Sequence, residues 1–222
     1  MEIASAIKTC EITKAAVVDT SGRKIGHISD LTFKFDGRLK LSQFILAGSR
    51  IEEFLERARL RPDRDPVFDA SFIKRIDSKK VYLGTSVDEM KTTLDSDAIP
   101  QGEIRFSRFE KLDVVDKAGV KVGRPIDVHF DTDGTTSIIV GGPFLEEKLE
   151  AIGIKKDIDI IVPDVVIQSV SDCIKLSVSK EELATTMESA LKDLVSEVRR
   201  ARDSKATQRS IAKVHLFTQR PL

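Results

Sequence analysis

A chain of 222 residues with 41% hydrophobic content is long enough to bury real cores in one or two domains. Its 36 basic and 36 acidic residues cancel to a formal charge of zero, which removes the electrostatic reason to expect nucleic acid as the main partner. No apolar run approaches the roughly 20 residues that span a bilayer, and the start, Met1-Glu2-Ile3-Ala4-Ser5, lacks the regions of a secretory signal, so a cytoplasmic protein is expected.

In chain order, Ala15-Ala16-Val17-Val18 predicts a strand that runs into a polar turn, Asp19-Thr20-Ser21-Gly22. Ile25, Ile28, Leu31, Phe33 and Phe35 then mark a second extended segment, which makes a hairpin the simplest reading. Asp36-Gly37 supplies the next turn, since Asp-Gly suits positions where the backbone must take positive φ, and Phe44-Ile45-Leu46 follows as a strand. Ser49 and Glu52 form a capping-box pattern ahead of a short helix with Ile51, Phe54, Leu55 and Ala58 on one face. Short strands are expected around Val67-Phe68, Phe72-Ile73 through Ile76 and Val81-Tyr82-Leu83, and Ser86 with Glu89 signals another helix start.

The same pattern returns some ninety-odd residues later. Val114-Val115-Asp116 leads through Gly119 and Gly123 to Asp127, Phe130 and Asp133-Gly134, as Val17-Val18-Asp19 leads through Gly22 and Gly26 to Asp30, Phe33 and Asp36-Gly37. Strands follow at Ile138-Ile139-Val140, Ile160-Ile161-Val162, Val165-Val166-Ile167 and Ile174-Lys175-Leu176. A helix lies between the first two, with Leu145, Leu149 and Ile152 on its face. Pro125 sits inside the second copy's long extended segment, and its missing N–H predicts a free sheet edge there. Ser179 and Glu182 open a longer helix, with Ala184, Met187, Leu191, Leu194, Val198 and Ala201 at three-four spacing. Five or six short strands and one short helix per copy predict a small closed or partly closed β-barrel, twice over.

The doubled pattern of an apolar pair, Asp, a turn Gly, a second Gly and an acidic residue before an apolar segment resembles the PRC-barrel family. That family is named after the photosynthetic reaction centre H subunit. The fold class implied is mainly β with short helices: two tandem small PRC-type β-barrels plus a C-terminal helix. The first barrel would cover residues 1–94 and a linker 95–103. The second barrel would cover 104–180, the helix 181–203, and a flexible basic tail 204–222. The resemblance implies a non-catalytic protein-interaction adaptor without cofactors. Among family contexts the chain looks most like the archaeal PRC-barrel proteins of FtsZ/SepF-based cell division. Its implied partners are SepF and other PRC-barrel proteins, with homo- or hetero-dimers and recruitment to the division site. The alternative is an RNA-binding or ribosome-assembly factor of the ribosome-maturation type, motivated by the basic run Arg199, Arg200, Arg202 and Lys205.

No reactive set stands out. Cys10 and Cys173 lack a Cys-x-x-Cys or Cys/His spacing and read as ordinary thiols. His27, His129 and His215 have no second histidine or cysteine nearby in sequence to complete a reactive set. Asp131-Thr132-Asp133-Gly134 starts like a calcium loop but lacks the later ligands, so a hairpin turn is expected. Gly141-Gly142-Pro143 reads as a strand-to-helix turn, with an anion site as the other option. Asp30 and Asp127 fit strand-end hydrogen bonds better than a carboxylate pair. The partner-binding candidates are Met187, Leu191, Leu194 and Val198 on the terminal helix, which either docks in cis or binds in trans, and Leu216-Phe217, a short docking motif or part of a disordered tail.

Overall fold

A computed structural model of the chain describes residues 1–48, 66–90, 95–96, 99–151, 158–203 and 212–217. The protein is mostly β and divides into two compact units, residues 1–109 with 127–136, and residues 110–126 with 137–222. The helix expected from Ile51 to Ala58, its Ser49/Glu52 cap and Ile152 lie outside the described residues.

The first unit begins with β1 (Glu2–Ile3), β2 (Ile7–Lys8), α1 (Thr9–Ile12), β3 (Ala16–Val18), β4 (Lys24–Phe35) and β5 (Leu39–Ala47). It continues with β6 (Pro66–Asp69), β7 (Ile73–Ile76), β8 (Lys80–Leu83), α2 (Val87–Met90), β9 (Asp95–Ser96), β10 (Glu103–Arg105) and α3 (Phe106–Phe109). Strand order is β1-β7-β8-β3-β4-β5-β6-β9, with β10 added to β4. Asp36-Gly37 closes the β4–β5 hairpin with Gly37 at φ +89°, the conformation that glycine adopts without a Cβ penalty. Ile25, Ile28, Leu31 and Phe33 of β4 are buried with Phe44, Ile45 and Leu46 of β5 and Val67 and Phe68 of β6. Burying that many branched and aromatic side chains supplies the drive that short strands lack alone.

Past α3 come β11 (Asp113–Val115), β12 (Lys121–Phe130), β13 (Thr136–Gly141), α4 (Pro143–Ala151), β14 (Ile158–Pro163), β15 (Ile167–Val170), β16 (Cys173–Leu176), α5 (Lys180–Asp203) and β17 (Ala212–His215). Their order is β15-β16-β11-β12-β13-β14-β17. The repeat is visible in the pairing. In each copy the strand after the buried Asp pairs antiparallel with its predecessor, through a bulge at Val17/Val18 or Val114/Val115. In each copy that predecessor also runs parallel to the copy's last short strand, β8 or β16.

Three expectations are corrected. Pro125 does not mark a free edge, because β12 lies between β11 and β13. The β11 register ends at Gly123, so the proline falls just beyond it and no ladder donor is missed on that side. The expected linker 95–103 carries strands instead: Asp95–Ser96 pairs with β6, and Glu103 opens β10. The tail expected to be flexible also contributes a strand. β17 runs parallel to β14, with Val214 and Leu216 buried on its inner side. Lys213 and His215 alternate with those two apolar residues and make the segment read as polar in sequence.

Glycines mark where the paired strands come closest. Gly48 (φ +132°) and Gly142 (φ +140°) each face a glycine, Gly26 and Gly123, and a Cβ at either would meet the facing Cα at 3.2 or 3.1 Å. At Gly123 a Cβ would overlap the Gly141 carbonyl oxygen, a backbone atom with no room to move. Gly123→Ala and Gly142→Ala are therefore expected to cost about 2–3 kcal/mol each. Gly134→Ala, in open space at φ +84°, should cost only about 1 kcal/mol. Urea unfolding of the three variants checks that ranking.

Candidate functional site

The carboxylates that recur in both copies each have a structural task. Asp19 is buried, and its Oδ1 accepts from Ser21 N (2.9 Å), Ser21 Oγ (2.6 Å) and Arg23 N (3.0 Å), while Oδ2 takes the Arg23 guanidinium at 2.9 Å. Asp116 Oδ1 accepts from Ala118 N and Val120 N, and Oδ2 from Lys180 N at 3.0 Å, which ties the turn after β11 to the start of α5. Burial pushes both carboxyls up, but these donors outweigh it and hold both below the usual aspartate range.

Asp30 and Asp127 serve the short helices that precede each copy's first core strand. Ser107 at the start of α3 donates to Asp30 through its hydroxyl (2.6 Å) and its N–H (3.3 Å). Cys10, at the same place in α1, donates its N–H to Asp127 Oδ1 at 3.3 Å. The flanking strands follow the same plan within the first unit: β10 pairs antiparallel with β4 at Thr32 to Lys34, and β2 pairs antiparallel with β12 at His129 and Phe130. The repeat-related rings Phe33 and Phe130 stack at 6.1 Å between centroids, and Phe106 and Phe109 close on Phe33 at 6.3 and 5.9 Å. Glu103 fixes β10 by accepting from Ser42 Oγ (2.5 Å) and Thr32 Oγ1 (2.9 Å). These two arms, residues 6–12 and 103–109, are what sequence reasoning missed. The signal was present, because Ile7 recurs as Ile104 and apolar Ile12 as Phe109 at the spacing of the repeat.

The other candidates are equally engaged. Burial, then the hydrogen bond and charge of Asp127, push the Cys10 thiol up to about 11, so it stays protonated and weakly nucleophilic at neutral pH. His27 is exposed on β4 opposite Ala47, and His129 is a buried strand residue of β12. Asp133 Oδ1 accepts the N–H and hydroxyl of Thr135 inside a turn closed by Gly134. The Gly142 carbonyl accepts from Leu145 and Glu146 at the head of α4, as a strand-to-helix turn requires. Among the described residues no three His, Cys, Asp or Glu side chains gather to hold a metal ion. No described helix is long and apolar enough to cross a membrane.

The helix cap predicted at Ser179/Glu182 forms as a reciprocal pair: Glu182 N donates to Ser179 Oγ at 3.1 Å, and Ser179 N donates to Glu182 Oε2 at 2.6 Å. Ser86 and Glu89 repeat it in the first unit. From this start α5 lays Leu183, Met187 and Leu191 into the second unit's core, each at most 1% exposed. Lys148 of α4 reaches Glu188 at 3.3 Å, and Lys180 lies 4.4 Å above the Phe144 ring. Three of the proposed partner-binding residues are thereby removed from the surface. Met187 and Leu191 are buried in cis, on the three-four stripe that made them candidates, and Leu216 is fully buried beyond β17. Phe217 is half-buried and holds a left-handed φ of +56°. The side chains of Leu194 and Val198, and those of Arg199, Arg200, Arg202 and Lys205, lie outside the described residues.

A comparison with protein-family models finds none that matches the chain, and a search of curated proteins finds no match either.

Two predictions follow from these placements. Met187→Ala and Leu191→Ala should each destabilise the protein by about 2–5 kcal/mol, measurable by urea denaturation, because truncation leaves a cavity. Burial raises the Asp127 carboxyl, against the opposing pull of its hydrogen bonds from Cys10 and Val128. The folded state then holds that proton more tightly than the unfolded chain, so stability falls as pH rises through the raised value and stays level above it. Asp127→Asn keeps the acceptor for Cys10 N–H and removes the buried charge. Its unfolding free energy at neutral pH should match or exceed that of the parent, with a flatter slope across the mildly acidic range.

Proposed function

We propose that this chain is a non-catalytic protein-interaction adaptor built from two PRC-type barrels, acting in archaeal FtsZ/SepF-based cell division. The observation that carries the adaptor reading is the use made of the repeated polar groups. Asp19, Asp116, Asp30 and Asp127 are all engaged by backbone or neighbouring side-chain donors at turns and helix starts. A duplicated β-scaffold whose shared polar residues hold its own turns is suited to presenting surface. The division role comes from the resemblance of the doubled Val-Val-Asp…Gly…Gly…Asp pattern to the archaeal PRC-barrel proteins. SepF and other PRC-barrel proteins are the partners this reading names, with the chain in the cytoplasm and drawn to the division site.

The test is affinity capture of the full chain from a native archaeal lysate at moderate salt. Recovery of SepF or a second PRC-barrel protein is the expected result. Recovery of ribosomal components alone, with RNA binding that weakens steeply as salt rises, would overturn the division role in favour of ribosome assembly.

A further inference from the structure

The two copies treat one sheet edge differently. In the first, β7 is bounded on its outer side by β1, which runs parallel to it with Glu2 opposite Arg75 and Ile3 opposite Ile76. Ala4 N donates to Ile76 O at 2.9 Å, so the backbone polar groups of Ile76 face outward and are met. Ile3 and Ile76 are both buried, and Glu2 stands 3.9 Å from Arg75.

β15 is the counterpart of β7. Each follows a three-residue 3-10 turn, Ala70–Phe72 or Asp164–Val166. Each pairs antiparallel with the next strand in one register, with an irregularity at the same place, between Ile73 and Arg75 or between Ile167 and Ser169. Ile76 therefore corresponds to Val170, and Arg75 to Ser169. Yet β15 ends its sheet, and no described strand lies along its outer side. The segment of the second copy that corresponds to Glu2-Ile3 is Ile99-Pro100, where Pro100 O accepts from Glu103 N in a turn. Gln101, the counterpart of the donor Ala4, lies in that turn and not in a strand.

Two further differences make β15 receptive. Edge strands are commonly protected by charge, and the exposed Lys74 and Arg75 of β7 are replaced in β15 by uncharged Gln168 and Ser169. Val170 is left half-buried where Ile76 is fully covered, and Val165 just before the strand is 56% exposed. We propose that the outer edge of β15 is a docking site for a short extended segment of a partner protein, added as a parallel strand. One apolar side chain of that segment covers Val170 as Ile3 covers Ile76. Because Ser169 replaces Arg75, the segment needs no acidic residue at the place of Glu2. Strand addition of this kind takes affinity from main-chain hydrogen bonds and selectivity from the alternate side chains. The inference rests on the adaptor reading for its biological partner, and it deepens that reading by naming the surface.

The probe is a synthetic peptide of residues 1–6, the one segment known to fit such an edge, added at millimolar concentration to isotope-labelled full-length protein. Amide shifts should concentrate at residues 167–170, with slowed hydrogen exchange at Val170. A peptide with proline in place of Ala4, whose N–H is the donor to Ile76 O in the first copy, should bind about tenfold more weakly or not at all, having lost one strand donor. Val170→Pro should abolish the shifts while resonances elsewhere in the second unit stay in place. No response at 167–170, or an equal response to the proline peptide, overturns the proposal. Shifts confined to residues 73–76 mean that the peptide only replaces β1, and also overturn it. If the β15 amides move with protein concentration alone, a second copy occupies the edge and the partner-segment proposal fails. Capture of no division protein while the peptide binds β15 would leave the edge standing and remove the division role, so the two failures are separable.

Discussion

A carboxylate withdrawn from water is tolerated only where donors replace its hydration, and this chain places three such groups, Asp19, Asp116 and Asp127, with the half-buried Asp30 as the fourth, at corresponding points of its two copies. Asp19 and Asp116 each gather the amide groups of the turn that follows them, and Asp116 adds the first amide of the long helix. Asp30 and Asp127 reach short helices that enter the first core strand of each copy. Removing these acceptors altogether would take hydrogen bonds from turns, helix starts and strand entries at once. The packing of β3 against β4 and β8, and of β11 against β12 and β16, begins from chain segments these groups hold in place.

Around that polar frame the two units solve burial differently. In the first, phenylalanine rings cluster: Phe33, Phe106, Phe109 and Phe130 form one set of ring contacts, and Phe44 with Phe68 another at 5.7 Å. Aromatic pairs of this geometry add to area burial and fix ring orientation. In the second, β-branched residues of β13 and β14 are buried, the returning strand β17 pairs with β14, and α5 packs against β17. The α5 seam, too short to stabilise a free helix, is stable because it completes a core.

What the sequence disclosed was local. The Asp-Gly turns, the apolar pattern of β4 and the Ser86/Glu89 and Ser179/Glu182 caps all depend on neighbours within a few residues, and each is found where the pattern put it. What it concealed was long-range. Nothing in the periodicity around Phe33 points to Phe130, and two apolar residues, Val214 and Leu216, are too few to announce β17. Pro125 misled because a proline reports a missing donor without saying where the neighbouring strand stops. The stripe on α5 was correctly seen as apolar, but an amphipathic face specifies burial and not the identity of what buries it.

The hairpin of residues 127–136 belongs to the compact unit that otherwise comprises residues 1–109. That unit is therefore discontinuous along the chain and draws Asp127 and Phe130 from the later copy. An ancestral single-copy gene cannot be recovered by deleting either half, since the first half alone would lack the ring that stacks on Phe33 and the acceptor for Cys10. Duplication has here become an evolutionary ratchet: once residues of one repeat complete the interior of the other, selection acts on both together and the way back is closed.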